Sequence, residues 1–404
     1  MTEQTRQFVR EHRTDDVRSL MLSGTRWKDV DMRQACVQIA AWQRACTKLP
    51  SWAAQDDILY PEQLPMEQCS SELTARYKAE VVPVGSQRRS IADLTGGFGI
   101  DATMLAQGNV HLTFVERNPA LCDLARHNLP LMGVQDIEVI GGDCEAVLPT
   151  LPHQDLIYID PARRDSHGGR TFALADCAPD VEQLQDLLLA HADCVMVKLS
   201  PMLDIADTLR RLRHIHEIHV VSVDGECKEL LIIIGAPSDA MASQQVPITC
   251  VNLSDRHPRQ TFTFTHEEEL LATCSHTTML GRYLYEPNTS VLKAGALRCV
   301  AQRFRLLKLH PNSHLYTSSE HLSDFPGRSF EVVSVSDFNK KNIAQLLSDI
   351  PCANLTVRNF PLSVAELRRR LKLSEGGSDY LFATTLSDEK HVLIRCRKPT
   401  TPSP

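Results

Sequence analysis

The chain has 404 residues, 43% of them hydrophobic and 23% charged, with a formal net charge of −7. That length predicts two or three domains, and no apolar run reaches the ~20 residues of a membrane span. The polar opening, residues 1–18, is not a secretory signal, and the global charge carries no nucleic-acid signature.

The thirteen cysteines include no Cys-x-x-Cys pair and sit singly in apolar contexts. They argue against a zinc cluster or a disulfide framework, and for a reducing, cytoplasmic setting. Charge is uneven, however. Residues 282–310 carry six basic side chains against one acid, and residues 328–398 carry twelve against eight. A basic surface in the C-terminal third suggests a polyanionic partner. On charge alone, a solvated helix face explains it as well.

Residues 1–80 read as a helical region. Apolar positions recur at helical spacing over 30–46 (Met32, Ala35, Cys36, Ile39, Trp42), and a Leu-Pro-Ser break follows at Leu49. Ser71 is placed to cap a further helix, with Glu72 in its first turn. Residues 81–240 then alternate strands and helices, which implies a mostly parallel sheet covered on both faces. Strands are predicted at 90–94, 110–116, 137–140, 156–159, 194–198, 215–223 and 229–235. Helices fall near 101–106, 118–132, 144–148, 181–190 and 204–212. The last two strands are separated by a link too short for a parallel crossover, so they form an antiparallel hairpin.

Residues 241–325 form a smaller module whose beginning, 240–290, has no clear period. A strand is expected at 261–265 and one or two helices over 288–307. From 326 to 398 a further α/β unit is expected. It holds strands at 330–335 and 354–359, helices at 341–347 and 364–372, and a closing hairpin at 380–385 and 391–395. His214, His216 and His219 alternate along a strand, and solvated imidazoles on a strand edge explain them better than a metal site does. No metal is expected elsewhere.

Four acids stand at or just beyond the carboxyl ends of successive predicted strands: Asp93, Glu116, Asp143 and Asp160. That edge of an open α/β sheet binds ligands. Asp93 leads into Leu94-Thr95-Gly96-Gly97-Phe98-Gly99. Glycine there permits positive φ and lets a ligand approach the main chain. Glu116, about twenty residues beyond the glycines, is placed to accept hydrogen bonds from ribose hydroxyls. Gly141-Gly142-Asp143 could receive an adenine amino group. Both nicotinamide dinucleotides and S-adenosylmethionine satisfy those contacts. Asp160-Pro161 separates them, because a carboxylate beside a prolyl carbonyl can hold a planar amino group and orient its lone pair toward a methyl electrophile.

Asp93-Leu-Thr-Gly-Gly-Phe-Gly, Val115-Glu116-Arg117-Asn118, Gly142-Asp143 and Ile159-Asp160-Pro161-Ala162-Arg163 together resemble the motifs of class I S-adenosylmethionine-dependent methyltransferases. The resemblance implies a Rossmann-like sheet with an antiparallel last strand. The run from Ala125-Arg126-His127-Asn128 to Gly142-Asp143 is similar to RNA methyltransferases, trimethylguanosine synthases being nearest in pattern. The stretch Gln68 to Lys78 resembles a segment that closes the cofactor pocket in such enzymes. Arg358-Asn359-Phe360-Pro361-Leu362-Ser363 and Gly376-Gly377-Ser378-Asp379-Tyr380 resemble the THUMP-like domain attached to bacterial methyltransferases. THUMP domains bind structured RNA, and the resemblance implies that role for a THUMP-like domain at 326–398, with a small ferredoxin-like module at 241–325 before it.

By this resemblance Asp93, Thr95, Gly97 and Gly99 hold the methionine end of S-adenosylmethionine, Glu116 and Arg117 its ribose, and Asp143 and Cys144 its adenine. Asp160, Pro161 and Arg163 serve methyl transfer, and Arg163, Arg164 and Phe172 meet the substrate. The implied reaction is methylation of an exocyclic base amine in rRNA or tRNA. One departure from the amino-methyltransferase pattern is that Ala162 and Arg163 stand where a second proline and an aromatic ring are usual. Uridine C5 methyltransferases share Asp-Pro-Ala-Arg but need a cysteine nucleophile, and Val197-Lys198-Leu199-Ser200-Pro201 has none. A small-molecule or protein methyltransferase, a non-catalytic RNA-binding protein and a nicotinamide oxidoreductase remain as alternatives.

Overall fold

Six helices build the described part of the N-terminal region. They are α1 (Glu3–His12), α2 (Val17–Leu22), α3 (Met32–Lys48), α4 (Pro50–Ala53), α5 (Gln63–Gln68) and α6 (Glu72–Val81). The Asp31 side chain accepts from the Gln34 N–H at the start of α3, satisfying a donor that the helix leaves open. Ala35, Cys36, Ile39, Ala41 and Ala45 of α3 are buried. Gln38, on the same helix, is buried without loss because its amide makes both hydrogen bonds to the Tyr60 main chain, at 2.7 and 2.9 Å. Ser71 caps α6 by accepting from the Thr74 N–H at 3.2 Å.

The computed structural model describes residues 1–22, 27–82, 90–163, 174–235 and 242–399. It divides into two compact units, Met1–Ile218 with Glu229–Met241 and His219–Lys228 with Ala242–Pro404. The first holds the N-terminal helices and β1 (Ser90–Asp93), α7 (Ile100–Leu105), β2 (His111–Glu116), α8 (Pro119–Leu131), β3 (Ile137–Gly141), α9 (Cys144–Val147) and β4 (Gln154–Ile159). Two short strands follow, β5 (Ala162–Arg163) and β6 (Cys177–Ala178), then α10 (Val181–His191), β7 (Ala192–Leu199), α11 (Ile205–Arg211), β8 (Ile215–Val223) and β9 (Glu226–Ile234).

Strand order runs β3-β2-β1-β4-β7-β9-β8. Strands β1 to β4 and β7 are parallel, and β9 runs antiparallel to β7. This is the expected parallel sheet with an antiparallel last strand. Leu230, Leu231, Ile232, Ile233 and Ile234 are all wholly buried, as the continuous apolar run of a strand covered on both faces requires. The β8–β9 turn is tighter than the sequence suggested. Asp224 and Gly225 alone join the strands, with φ of 48° and 82°, the positive pair that suits the sheet twist.

The N-terminal helices and the sheet share one core. Fully buried Trp52 packs at a tilt against Phe98 of the glycine turn with ring centroids 4.8 Å apart, and Tyr60 reaches the same ring. Asn128 of α8 bonds both main-chain groups of Leu59.

The second unit contains the hairpin tip, β10 (Ile248–Leu253), β11 (Gln260–Phe264), α12 (His266–Leu271), β12 (Tyr283–Pro287), α13 (Thr289–Ala294), α14 (Leu297–Arg303), β13 (Leu307–Lys308) and β14 (Tyr316–Ser318). It ends with β15 (Gly327–Asp337), α15 (Lys340–Leu346), β16 (Asn354–Arg358), α16 (Val364–Leu371), β17 (Asp379–Thr385) and β18 (His391–Arg397). Its seven-stranded sheet runs β13-β14-β12-β15-β18-β17-β16. The two-residue period of a strand divides its core. Leu381, Ala383 and Leu393 pack with Leu346, Leu367 and Leu371 of α15 and α16, while Phe382 and Ile394 join Phe330, Leu284 and Leu315 in a separate cluster.

The histidines of β8 do not sit on a solvated strand edge, contrary to expectation. Strand β8 lies between β9 and β10, and His219 is buried. Among the described residues no helix is long and apolar enough to cross a membrane.

Candidate active site

Strand order reverses between β1 and β4, and a crevice opens there beyond the carboxyl ends of the strands. It is a cavity of about 420 Å³, within the roughly 300–1,000 Å³ of small-molecule sites. A second cavity, beside Arg6, Arg13 and Trp42, is only about 40 Å³.

The glycine turn forms one wall. Asp93 accepts from the Thr95 N–H at 3.0 Å, and the Thr95 hydroxyl in turn accepts from the Asp160 N–H at 2.7 Å. The turn therefore ties the ends of β1 and β4 together. Gly97 and Gly99 have φ of 57° and 88°, conformations that strain other residues. Gly96 is required for another reason, since a Cβ there would lie 2.2 Å from the Phe114 ring. Glu116 accepts from the N–H groups of Gly97 and Asn118, both at 2.8 Å. These bonds fix the carboxylate at the cavity wall and leave it further acceptor capacity. Asp143 caps α9 by accepting from the Glu145 N–H at 2.9 Å.

Asp93, Thr95, Gly97, Gly99, Glu116, Arg117, Asp143, Cys144 and Asp160 thus all line one cavity. Gln68, Cys69 and Ser70 line it too. Pro161 is buried beside it, and Arg163 is described only in its backbone, where β5 pairs with Cys177-Ala178. Arg164 and Phe172 lie outside the described residues.

Asp93 is 1% exposed. Burial drives its carboxyl well above the usual range, the Thr95 N–H opposes that, and the nearby carboxylates of Asp101, Asp160 and Glu116 add to it. Such a group is satisfied by a cation arriving in the cavity.

Beside this wall lies a charged cluster that sequence reasoning did not assign. Lys78, wholly buried, sits 2.8 Å from Glu229 and 3.1 Å from Asp101. The Ser70 and Tyr158 hydroxyls donate to Asp101 at 2.7 and 2.8 Å. Lys198, from the end of β7, donates to Asp160 in a direct ion pair. Burial pulls the Lys198 ammonium down, but Asp160, Asp101 and Glu229 outweigh it and hold it above its ordinary range. Lys198 is therefore a cation at neutral pH. The signal was present in the sequence as a lysine closing the apolar run Val195-Met196-Val197 and a glutamate opening Leu230–Ile234.

A protein of Porphyromonas gingivalis W83 assigned as a methyltransferase matches this structure with a TM-score of 0.89, at 38% identity over 98% of each chain. The chain belongs to that methyltransferase family. Residues 283–326 match a ferredoxin-like domain family and residues 327–398 the THUMP domain-like family. More remote solved structures include a class I S-adenosylmethionine-dependent methyltransferase of Listeria monocytogenes, at 14% identity, TM-score 0.40, covering 62% of this chain and 94% of that one. Another is a type I restriction-modification methyltransferase subunit of Streptococcus thermophilus, at 15% identity, TM-score 0.34, covering 53% and 57%. No curated protein matches the chain significantly.

The enzyme is thus a methyltransferase with a THUMP-like domain, and the methyl donor that its sequence motifs imply is S-adenosylmethionine. The cavity suits that donor. A buried acid stands ready for its cationic end, and a main-chain-anchored carboxylate faces a nucleoside-sized space.

Proposed function

We propose that this methyltransferase acts in the cytoplasm on a nucleotide of structured RNA, rRNA or tRNA. The observation that carries the reading is the pairing of Asp160, at the mouth of the cofactor cavity, with a THUMP-like domain in the same chain. In this reading Asp93 faces the ammonium and sulfonium end of the donor, with Thr95, Gly97 and Gly99 shaping the wall around it. Glu116 takes the ribose hydroxyls beside Arg117, and Asp143 with Cys144 borders the adenine. When bound, the donor supplies the electrophilic methyl group. The protein supplies position and an acceptor-facing carboxylate. Pro161 and the backbone of Arg163, tied to Cys177, set the entrance beside Asp160.

The Asp160-Pro161 pair alone suits an exocyclic amine. Lys198 alters that preference.

Mass spectrometry of nucleosides from rRNA and tRNA of a deletion strain tests the function. One methylated nucleoside should vanish, return with the wild-type gene, and stay absent with Asp160→Ala, whose purified protein should still bind S-adenosylhomocysteine. An unchanged nucleoside profile would instead direct attention to a small-molecule or protein substrate.

A further inference from the structure

A carboxylate that receives an amino group must offer free acceptor positions, and the attacking nitrogen acquires positive charge as it bonds to methyl. Asp160 meets neither need well. Its Oδ2 is occupied by the Lys198 ammonium, so an amine held by Asp160 would meet a neighbouring cation. A second lysine, Lys78, lies further in, held by Glu229 and Asp101. Asp160 and Asp101 line the cavity, and the two lysines with Glu229 pair with or around them from α6, the end of β7 and β9.

A hydroxyl acceptor has the opposite requirements. Its oxygen is a weak nucleophile until the proton begins to leave, and a nearby ammonium stabilises the charge that then develops. The adjoining carboxylate can take the proton. Among the groups an RNA offers, the hydroxyl present at every internal nucleotide is the ribose 2′-OH.

We propose that the methyl acceptor is a ribose 2′-hydroxyl, with Asp160 and Lys198 as the catalytic pair; this rests on the RNA reading above. The hydroxyl oxygen bonds to the methyl carbon while the methyl–sulfur bond breaks, and its electron pair stays on sulfur as S-adenosylhomocysteine. The hydroxyl proton passes to the free oxygen of Asp160 and then to solvent. Lys198 keeps its proton throughout and donates a hydrogen bond to the acceptor oxygen. Lys78 and Glu229 are positioning residues. They keep the floor of the site charge-balanced so that Lys198 points at Asp160.

The test uses the full-length enzyme, S-adenosylmethionine labelled in its methyl group, and total RNA from the deletion strain. Labelled RNA is then hydrolysed in alkali, which needs a free 2′-OH at every cleaved linkage. A 2′-O-methyl group blocks cleavage, so the label should appear in alkali-resistant dinucleotides. Label in mononucleotides would overturn the hydroxyl acceptor and leave the RNA reading intact. No label in RNA would overturn the RNA reading itself. Lys198→Met should lower turnover at least a hundredfold with S-adenosylhomocysteine affinity unchanged. Lys198→Arg, which keeps the cation and the fold, should retain part of the activity. Full activity in Lys198→Met would remove Lys198 from the mechanism.

Discussion

Asp93 shows how one side chain links burial, stability and ligand binding. Its folded-state carboxyl titrates above the ordinary value of 3.8 because burial opposes the charge. Between the unfolded and folded values the native protein holds a proton that the unfolded chain has released. This contribution to stability is therefore full below about pH 4 and is lost as pH rises through the raised folded value. Asp93→Asn should raise stability at neutral pH and flatten that dependence in denaturant titrations. Cofactor binding should reverse the balance, because a cation in the cavity favours the carboxylate. At a pH below the raised folded value, calorimetry in buffers of different ionisation enthalpy should find proton release by the wild type and none by Asp93→Asn. Equal heats in all buffers for the wild type would contradict this account.

Two further single-residue changes separate packing from charge. Gly96→Ala drives a methyl into the Phe114 ring, and overpacking of this kind costs about 1–3 kcal/mol. Lys78→Met leaves Glu229 and Asp101 buried without their cation, a loss of about 3–5 kcal/mol. Both effects are measurable as shifts in the urea midpoint. The Lys78→Met loss should shrink when Glu229→Gln is added.

At the level of elements, the sequence was readable wherever a period ran long enough to be counted. The strands that carry Asp93, Glu116 and Asp160 and the closing hairpin at 379–397 emerge from apolar runs and turn residues. Strands β10 and β12 did not, because 240–290 shows no clear period, and β12 is defined by β14 and β15, which lie well downstream in the chain. The acids that line the cavity stood out because each stands at or just beyond the end of a strand. Lys198 passed unnoticed because its meaning depends on Asp160, thirty-eight positions away, which only the parallel β4–β7 pairing brings near.

The basic residues of the C-terminal third fall into two groups. Arg328 and Arg358 both bind Glu286, while Arg395 and Arg397 bind Asp379. These arginines serve the fold. Lys340, Lys341, Arg369, Arg370 and Lys372 are exposed and make no ion pair among the described residues. They belong to α15 and α16 or their ends, two helices that share one core cluster. Replacing Lys340, Lys341, Arg369 and Lys372 by Gln should weaken RNA binding at low salt. The slope of log affinity against log salt should fall by up to about 0.7–0.9 for each phosphate that is no longer neutralised, the range from single strands to duplex. An unchanged slope would count against RNA contact at these two helices.

The whole molecule divides its tasks between two units of comparable size. Every residue that lines the cavity, from Pro65 to Pro179, belongs to the first unit, and the THUMP-like match at 327–398 belongs to the second. A ligand that binds only the native state stabilises what it touches, by about 2.7 kcal/mol at a hundred times its Kd. Hydrogen exchange with saturating S-adenosylhomocysteine should therefore slow in the glycine turn, at the ends of β2 and β4 and around Asp143. The sheet at 327–397 should exchange at its original rate. RNA should protect α15 and α16, and it should reach the neighbourhood of Asp160 only when the nucleotide to be methylated enters the site. An RNA lacking that nucleotide would then protect the second unit alone. If S-adenosylhomocysteine by itself slowed exchange in α15 or α16, the two units would be energetically coupled. RNA affinity would then have to rise by the same factor when the cofactor is present, and a titration with and without S-adenosylhomocysteine would measure it.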